Sequence, residues 1–260
     1  MEIEMTEKHG KICGIGVGPG DPELMTLKAV RRIREADIVC LPRENKEECR
    51  AYLIAVQSVP ELAEKEILGF EFEMTSDPGK LSQIHRGIYD RVKAYPAEGK
   101  TVAFLTIGDP TIYSTVGYIL KLAEADGIDT EIINGVTSFC AAAAACGEMI
   151  SEGGEDIHIL AGYEEEKLSL PGTKIIMKTG RRGGELKEKL LALEVRADAD
   201  KEPSATDEAQ SDADKAPNEE PGLTVFGASD CGLPAERIYK SASDLPEEGL
   251  YMTTLIVKER

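Results

Sequence analysis

Glycine is concentrated in a short segment, residues 14–22, which reads Gly-Ile-Gly-Val-Gly-Pro-Gly-Asp-Pro. Glycines permit positive φ angles and let a ligand lie close to the backbone, so this segment could hold a nucleotide-like molecule. Its spacing does not match the dinucleotide fingerprint G-x-G-x-x-G, because Pro19 stands at the last glycine position counted from Gly14 and Asp21 counted from Gly16. The sequence also lacks the P-loop pattern. The competing interpretation is a tight turn before a helix.

A second polar segment, residues 105–115, follows an apolar stretch and contains the sequence Gly-Asp-Pro around Asp109. Asp109 could accept hydrogen bonds from a hydroxyl or an ammonium group, while Ser114 and Thr115 offer short polar caps to the next helix. In open α/β sheets ligands bind at the carboxyl ends of the strands, where this segment is expected to lie. Ordinary turn formation at Asp-Pro is the alternative interpretation.

A third segment, residues 134–140, reads Asn-Gly-Val-Thr-Ser-Phe-Cys and is followed by five alanines. Asn-Gly favours a turn, and Thr137 or Ser138 could cap a helix whose alanine face packs closely on a sheet. Two hydroxyl groups at a helix N-terminus are a plausible polar site. Packing is the commoner explanation for such a pattern.

A fourth segment, residues 175–182, ends another apolar stretch with positive charge. It contains Lys178, Arg181 and Arg182 within an acidic protein. These side chains are candidates for binding an anionic ligand. Solvated surface charge is the competing interpretation.

No arrangement of a nucleophile with a base is recognisable near the three histidines, His9, His85 and His158. The six cysteines show no C-x-x-C or Cys/His spacing, so no metal site is expected. These features point to chemistry in which a cofactor and a substrate supply the reactive atoms.

The elements that must position these segments alternate between short apolar strands and amphipathic helices, which predicts an α/β protein with mainly parallel sheets. About ten strands are too many for one small domain, so we expect two α/β domains, residues 1–125 and 126–260. The predicted strands are residues 11–17, 37–41, 66–74, 101–107, 130–133, 157–161, 174–178, 223–228, 237–240 and 251–257.

Residues 196–222 interrupt this alternation. From Ala197 to Glu220 there are nine acidic residues and two lysines, a net charge of −7. Such a composition cannot bury enough apolar surface to offset the entropy of ordering, so a disordered acidic insert is expected within the second domain.

The net charge of −18, from 48 acidic and 30 basic residues, argues against binding nucleic acid or an anionic membrane surface. No apolar run approaches the ~20 residues that span a bilayer. The polar N-terminus does not match a signal peptide, and the cysteine pattern is typical of a reduced protein. These observations predict a cytoplasmic protein.

Taken together, the four segments resemble the tetrapyrrole (corrin/porphyrin) methylase family, whose members transfer a methyl group from S-adenosylmethionine. The residues that carry the resemblance to the family are Gly16 to Leu24 with Thr26-Leu27, Gly108-Asp109-Pro110, and Gly135 to Ser138. Within the family, the sequences at Tyr113-Ser114-Thr115, Ser138 to Ala143 and Met177-Lys178 are most similar to the precorrin-2 C-20-methyltransferase subfamily. One departure is Asn134, which stands where the family usually has proline.

The resemblance implies two α/β domains with mainly parallel five-stranded sheets, a ligand cleft between them, and a homodimer. It implies methylation of the C-20 meso carbon of precorrin-2 or cobalt-precorrin-2 in cobalamin biosynthesis, with S-adenosylmethionine as methyl donor. The implied cofactor contacts are Pro19, Ile107, Gly108, Asp109, Ile112, Ser114, Thr115, Thr137, Ser138, Met177 and Lys178.

Three residues are candidates for handling the substrate. Tyr113 is the candidate for a catalytic base, and Arg181 and Arg182 are candidates for binding tetrapyrrole carboxylates, because guanidinium groups can clasp a carboxylate with two hydrogen bonds. The alternatives are another methylase of the family that acts on a different ring carbon, and a cofactor-binding module without turnover.

Overall fold

The computed structural model describes residues 10–72, 75, 77–199, 223–247 and 252–259. Contacts divide the chain into two compact units, Met1–Ser138 and Phe139–Arg260. The boundary lies later than the expected one at residue 125, because the strand Asp129–Ile133 pairs with the first strand of the chain and so belongs to the first unit.

The N-terminal unit is built on a five-stranded sheet in which every pair is parallel, in the order β3-β2-β4-β1-β5. Its strands are β1 (Lys11–Gly16), β2 (Ile38–Leu41), β3 (Glu66–Gly69), β4 (Thr101–Thr106) and β5 (Asp129–Ile133). Its helices are α1 (Leu27–Glu35), α2 (Arg50–Ser58), α3 (Pro78–Val92), α4 (Ala94–Ala97) and α5 (Val116–Ala125).

The central strands of this sheet are mostly apolar, as expected for a parallel sheet that is covered on both faces. All four residues of β2 and the first five of β4 are buried. Helix α1 begins after Thr26, whose Oγ1 accepts a hydrogen bond from the Ala29 amide at 3.1 Å, and it buries Ala29 and Ile33.

The strand order places a topological switch point between β1 and β4. The chain leaves β1 toward β2 on one side of the sheet and leaves β4 toward β5 on the other. Neighbouring strands whose connections leave in opposite directions mark the edge at which ligands bind in open α/β sheets, here the carboxyl ends of β1 and β4.

The C-terminal unit carries a second five-stranded sheet in the order β6-β7-β10-β8-β9. Its strands are β6 (Ile157–Leu160), β7 (Thr173–Met177), β8 (Leu223–Ser229), β9 (Arg237–Tyr239) and β10 (Thr253–Glu259), and its helices are α6 (Ser138–Cys146) and α7 (Gly183–Ala199). The two five-stranded α/β sheets are confirmed.

The expectation of mainly parallel pairing is wrong for this second sheet. Only β6 and β7 are parallel, whereas β10 is antiparallel to both of its neighbours and β8 is antiparallel to β9. A parallel pair needs a long crossover connection, and the short return from β8 to β9 can make only an antiparallel pair.

The alanine-rich helix α6 packs on this sheet, in agreement with the packing interpretation of its sequence. Ala142 and Ala143 share a buried cluster with Ile175, Phe226 and Ile256. Small side chains let the helix lie close to the strands.

One charged side chain is fully buried in the second sheet. Lys174 on β7 has no exposed side-chain surface, and its Nζ lies 2.5 Å from Oε1 of Glu259 on β10 and 2.8 Å from the Leu170 carbonyl. The side chain of Glu259 remains 36% exposed. An ammonium group withdrawn from water needs such partners, so the pair links two neighbouring strands.

Helix α7 continues to Ala199, so the first four residues of the predicted acidic insert, 196–199, are helical. Residues 200–222 of that insert lie outside the described part of the chain. Within the residues that are described, no helix combines the length and apolar character needed to cross a membrane.

Candidate functional site

Three loops of the N-terminal unit converge at the switch point between β1 and β4. The loop after β1 and the loop after β4 are joined by a two-residue bridge, in which the Gly108 amide donates to the Gly18 carbonyl at 2.7 Å and the Gly18 amide donates to the Gly108 carbonyl at 3.3 Å. The loop after β5 approaches the same point through Gly135.

Glycine is required where these loops meet. A Cβ atom added at Gly135 would lie 2.1 Å from the Gly108 carbonyl oxygen, and one added at Gly16 would lie 2.4 Å from the same oxygen. Gly108 itself has a φ of +69°, a conformation that side chains disfavour. The glycine pattern of the first segment thus serves close backbone packing between loops.

Asp109 connects the loop after β4 to the loop after β5. Its Oδ1 accepts hydrogen bonds from the Thr111 amide at 2.7 Å and the Thr111 hydroxyl at 2.5 Å. Its Oδ2 accepts from Nδ2 of Asn134 at 3.0 Å and from the Gly135 amide at 3.1 Å. Asp109 is only 7% exposed, so both carboxylate oxygens are occupied within the unit.

The pKa of Asp109 is lowered from its ordinary value. Burial, the largest influence, acts to raise this pKa, but the hydrogen bonds from Thr111, Asn134 and Gly135 outweigh it. The carboxylate is therefore ionised at neutral pH and holds the two loops together as an anion.

The segment after Asp109 is strained at Tyr113. Its φ is +48°, and the residue is 42% exposed. A bulky residue in the left-handed region is disfavoured by roughly 1–2 kcal/mol, and such strain often accompanies functional sites. The adjacent Ser114 hydroxyl lies 3.1 Å from the Thr106 hydroxyl, which fixes the end of the loop, just before α5, against the last residue of β4.

One polar atom at the third segment has no partner. Thr137 Oγ1 is buried and makes no hydrogen bond within the described part of the chain. An unsatisfied buried hydroxyl is costly, so this atom is suited to a ligand that supplies a polar group. The glycine-lined loops and this hydroxyl together fit a small polar molecule that lies close to backbone.

Nine of the residues predicted to contact the cofactor lie in the N-terminal unit, at or near the carboxyl edge of its sheet. They are Pro19, Ile107, Gly108, Asp109, Ile112, Ser114, Thr115, Thr137 and Ser138. Met177 and Lys178 lie at the carboxyl end of β7, in the other unit.

Lys178, which directly follows strand β7 in the fourth segment, has a φ of +54°. Although it is an exposed residue, partial desolvation of its ammonium group lowers its pKa. Two positive φ values at non-glycine residues thus fall within segments that the sequence had singled out.

Arg182 is held by contacts within the C-terminal unit. Its Nη1 donates to the Tyr163 carbonyl at 2.9 Å, its Nε donates to Glu185 at 3.0 Å, and its guanidinium lies 4.7 Å from the centre of the Tyr163 ring. The side chain of Arg181 lies outside the described residues. No group of three or more His, Cys, Asp or Glu suited to a metal ion occurs in the described ranges.

Sequence reasoning missed two residues of the Asp109 network. Thr111 could have been found, because Asp-x-Thr is a common motif in which a carboxylate accepts from the backbone two residues later. Asn134 gave no such signal, since it lies 25 residues from Asp109 and meets it only through the fold.

Comparison with known proteins gives a consistent result. Residues 11–244 match the family model described as Tetrapyrrole (Corrin/Porphyrin) Methylases. A relative from Methanocaldococcus jannaschii, named "Probable cobalt-precorrin-2 C(20)-methyltransferase", is 37% identical over 72% of this chain and 79% of its own length. A "Precorrin-2 C(20)-methyltransferase" from Sinorhizobium sp is 27% identical over 70% of this chain and 79% of its own length.

A solved structure is also similar. The uroporphyrin-III-C-methyltransferase of Thermus thermophilus aligns with a TM-score of 0.58 and 26% identity, over 96% of this chain and 93% of its own. Because the family model spans both units and the first relative covers more than two thirds of the chain, this protein belongs to the tetrapyrrole (corrin/porphyrin) methylases.

Proposed function

We propose that this chain is an S-adenosylmethionine-dependent C-methyltransferase that methylates the C-20 meso carbon of precorrin-2 or cobalt-precorrin-2 in cobalamin biosynthesis. The observation that carries the proposal is the 37% identity to the cobalt-precorrin-2 relative, which extends over most of both chains. The glycine-lined switch point supplies a site of suitable character in this chain.

The residues present fit S-adenosylmethionine. Its amino-acid part and ribose need hydrogen-bonding partners close to backbone, which the loop around Gly108 and the unsatisfied Thr137 hydroxyl can provide. We propose that Ile107, Gly108 and Ile112 contact the cofactor from the loop after β4. The other proposed contacts are Pro19, Ser114, Thr115, Ser138, Met177 and Lys178.

When bound, the cofactor supplies an electrophilic methyl group on a sulfonium centre. The chain's own contribution is to orient that group toward an electron-rich meso carbon and to exclude water. Correct positioning can lower the barrier by about 7–11 kcal/mol at most, so a site of this kind needs no protein nucleophile. Asp109 contributes as the anion that fixes the shape of the loops.

Asp109→Ala is expected to weaken cofactor binding by about 2 kcal/mol, because the two loops lose a charged acceptor that holds them together. Calorimetric titration with S-adenosylhomocysteine would measure the loss, and thermal unfolding would show that the variant is folded. Unchanged affinity in a folded variant would contradict a role for Asp109.

Tyr113 is proposed to take the proton that C-20 loses after the methyl group has been added, with its phenolic oxygen passing its own proton to solvent. Tyr113→Phe keeps the ring and removes the hydroxyl, so it is expected to lower kcat while leaving cofactor affinity unchanged. Loss of general base catalysis corresponds to about 10²–10⁴-fold in rate. Parental kcat in this variant would show that the hydroxyl takes no part.

Arg181 and Arg182 are proposed to bind substrate carboxylates. Arg181→Ala and Arg182→Ala are expected to raise the KM for the tetrapyrrole without changing cofactor affinity. Since Arg182 already contacts Glu185 and Tyr163, the thermal stability of the Arg182→Ala variant must be measured together with its KM. Parental KM at both low and high salt would place the carboxylate contacts elsewhere.

The proposed function is tested by incubating the protein anaerobically with methyl-labelled S-adenosylmethionine and precorrin-2, with and without Co²⁺. We expect one labelled methyl group at C-20, identified by carbon NMR of the product. Label at another ring carbon would favour a different methylase of the family, and cofactor binding without transfer would favour a non-catalytic module.

A cytoplasmic homodimer is part of the proposal. Light scattering coupled to size-exclusion chromatography would test the dimeric state, with a mass of twice 28.2 kDa expected. A monomeric mass at working concentration would contradict it.

A further inference from the structure

Asn134 belongs to one of the three connections that meet at the switch point and contacts a residue of each of the other two. It lies in the loop after β5, and its Nδ2 donates to Asp109 Oδ2 in the loop after β4 at 3.0 Å. Its carbonyl oxygen accepts from the Thr26 hydroxyl at 3.2 Å. Thr26 caps helix α1, which follows the glycine-rich loop after β1.

The backbone geometry of Asn134 does not explain why asparagine stands here. Positive φ at non-glycine residues in the described ranges occurs at Tyr113, Lys178, Asp230 and Met252, and Asn134 is not among them. Asn134 therefore does not occupy the left-handed region that favours asparagine and glycine. The feature specific to asparagine is the amide side chain, which both reaches Asp109 and donates a proton to it.

We propose that Asn134 is a positioning residue that acts through Asp109 to hold the cofactor loops in their binding geometry. The inference rests on the proposed function, because it concerns the affinity of this chain for S-adenosylmethionine. Asp109 Oδ2 has two donors, the Asn134 amide and the Gly135 backbone, and both come from the loop after β5. Removing the first leaves a single hydrogen bond to hold that oxygen against the loop.

The charge of the side chain at position 134 decides whether its contact with Asp109 is attractive or repulsive. The Asn134 amide stabilises the ionised form of Asp109, whereas an aspartate in its place would set two carboxylates against each other. The isosteric change Asn134→Asp therefore turns attraction into repulsion with no change in volume. Asn134→Ala removes the donor without adding charge.

The experiment measures S-adenosylhomocysteine affinity by calorimetry in the parent, in Asn134→Ala, in Asn134→Asp, in Asp109→Ala and in the double variant Asp109→Ala/Asn134→Ala. We expect Asn134→Ala to bind about fivefold more weakly at neutral pH, and Asn134→Asp to bind more weakly still. In the Asp109→Ala background, Asn134→Ala should have no further effect, because the carboxylate that accepts its hydrogen bond is gone.

The pH dependence gives a second readout that a purely structural role would not move. In the parent, protonation of Asp109 at acidic pH is expected to weaken cofactor binding. In Asn134→Asp, protonation of either carboxylate restores a hydrogen-bond donor, so cofactor affinity should rise as the pH falls.

Tyr89→Phe is the matched control. It removes a 2.7 Å hydrogen bond to the Asp126 carboxylate at the opposite edge of the sheet and should leave affinity and its pH profile unchanged.

The outcomes separate the two proposals. If the parent does not bind S-adenosylhomocysteine, the proposed function fails. If the parent binds and both Asn134 variants match it, or if Asn134→Ala has its full effect in the Asp109→Ala background, the positioning role is overturned.

Discussion

Gly135→Ala is expected to abolish methyl transfer and to weaken cofactor binding by about 3 kcal/mol, at the upper end of what overpacking usually costs. The new Cβ would lie 2.1 Å from the Gly108 carbonyl oxygen, so the loops after β4 and β5 must separate. That separation would stretch the hydrogen bond from the Gly135 amide to Asp109. Calorimetry with S-adenosylhomocysteine and a labelled-methyl assay would measure the two losses.

Gly87→Ala is the matched control for this substitution. Gly87 lies within helix α3, and a Cβ there would have nothing within 4 Å. Alanine is favoured over glycine in a helix by roughly 0.5–1 kcal/mol, so this variant should be slightly more stable and fully active. Parental activity in Gly135→Ala would show that the loops can separate without harm to the site.

Glu259→Ala is expected to lower the free energy of unfolding by about 3 kcal/mol, because it leaves the buried ammonium of Lys174 without an opposite charge. This value is at the lower end of the usual cost of breaking a buried ion pair, because Glu259 is partly exposed and water can take the place of its carboxylate. Lys174→Met should cost less, because it removes the charge together with the need for a partner. Urea unfolding of the single and double variants would test this order.

The exposed pair between Lys167 and Glu164 serves as a comparison. Its atoms lie 2.7 Å apart, but both side chains are largely in solvent, so Glu164→Ala should cost no more than about 1 kcal/mol. A cost for Glu259→Ala equal to that for Glu164→Ala would show that Lys174 does not depend on its carboxylate partner.

The fold class was predictable because the signal is local. Apolar runs such as residues 38–41 and 102–105 are buried on both faces, and a run of that kind between helical segments favours a parallel strand. The pairing of the second sheet was not predictable. Nothing in the residues of β10 reveals that they insert between β7 and β8, since pairing depends on partners far along the chain.

The site shows the same division. The polar segments after β1, β4 and β5 could be recognised, and parallel topology brings their ends to one edge of the sheet. The hydrogen-bond partners of the Asp109 carboxylate could not be predicted from the sequence. An aspartate that stabilises a turn and one that contacts a ligand can occur in the same Gly-Asp-Pro sequence. Only the fold shows that Thr111, Asn134 and Gly135 occupy both of its oxygens.

The position of β10 at the centre of the second sheet has a consequence for the order in which the protein forms during synthesis. The N-terminal unit is complete in the first 138 residues and can fold as soon as they leave the ribosome. The C-terminal unit cannot complete its sheet by then, because strand β10 lies between β7 and β8 in the strand order, and its Glu259 meets Lys174 across 85 positions of sequence. Until residues 253–259 have been made, the facing edges of β7 and β8 have no strand to pair with. During that interval the nascent chain carries open sheet edges, which are the places where aggregation begins.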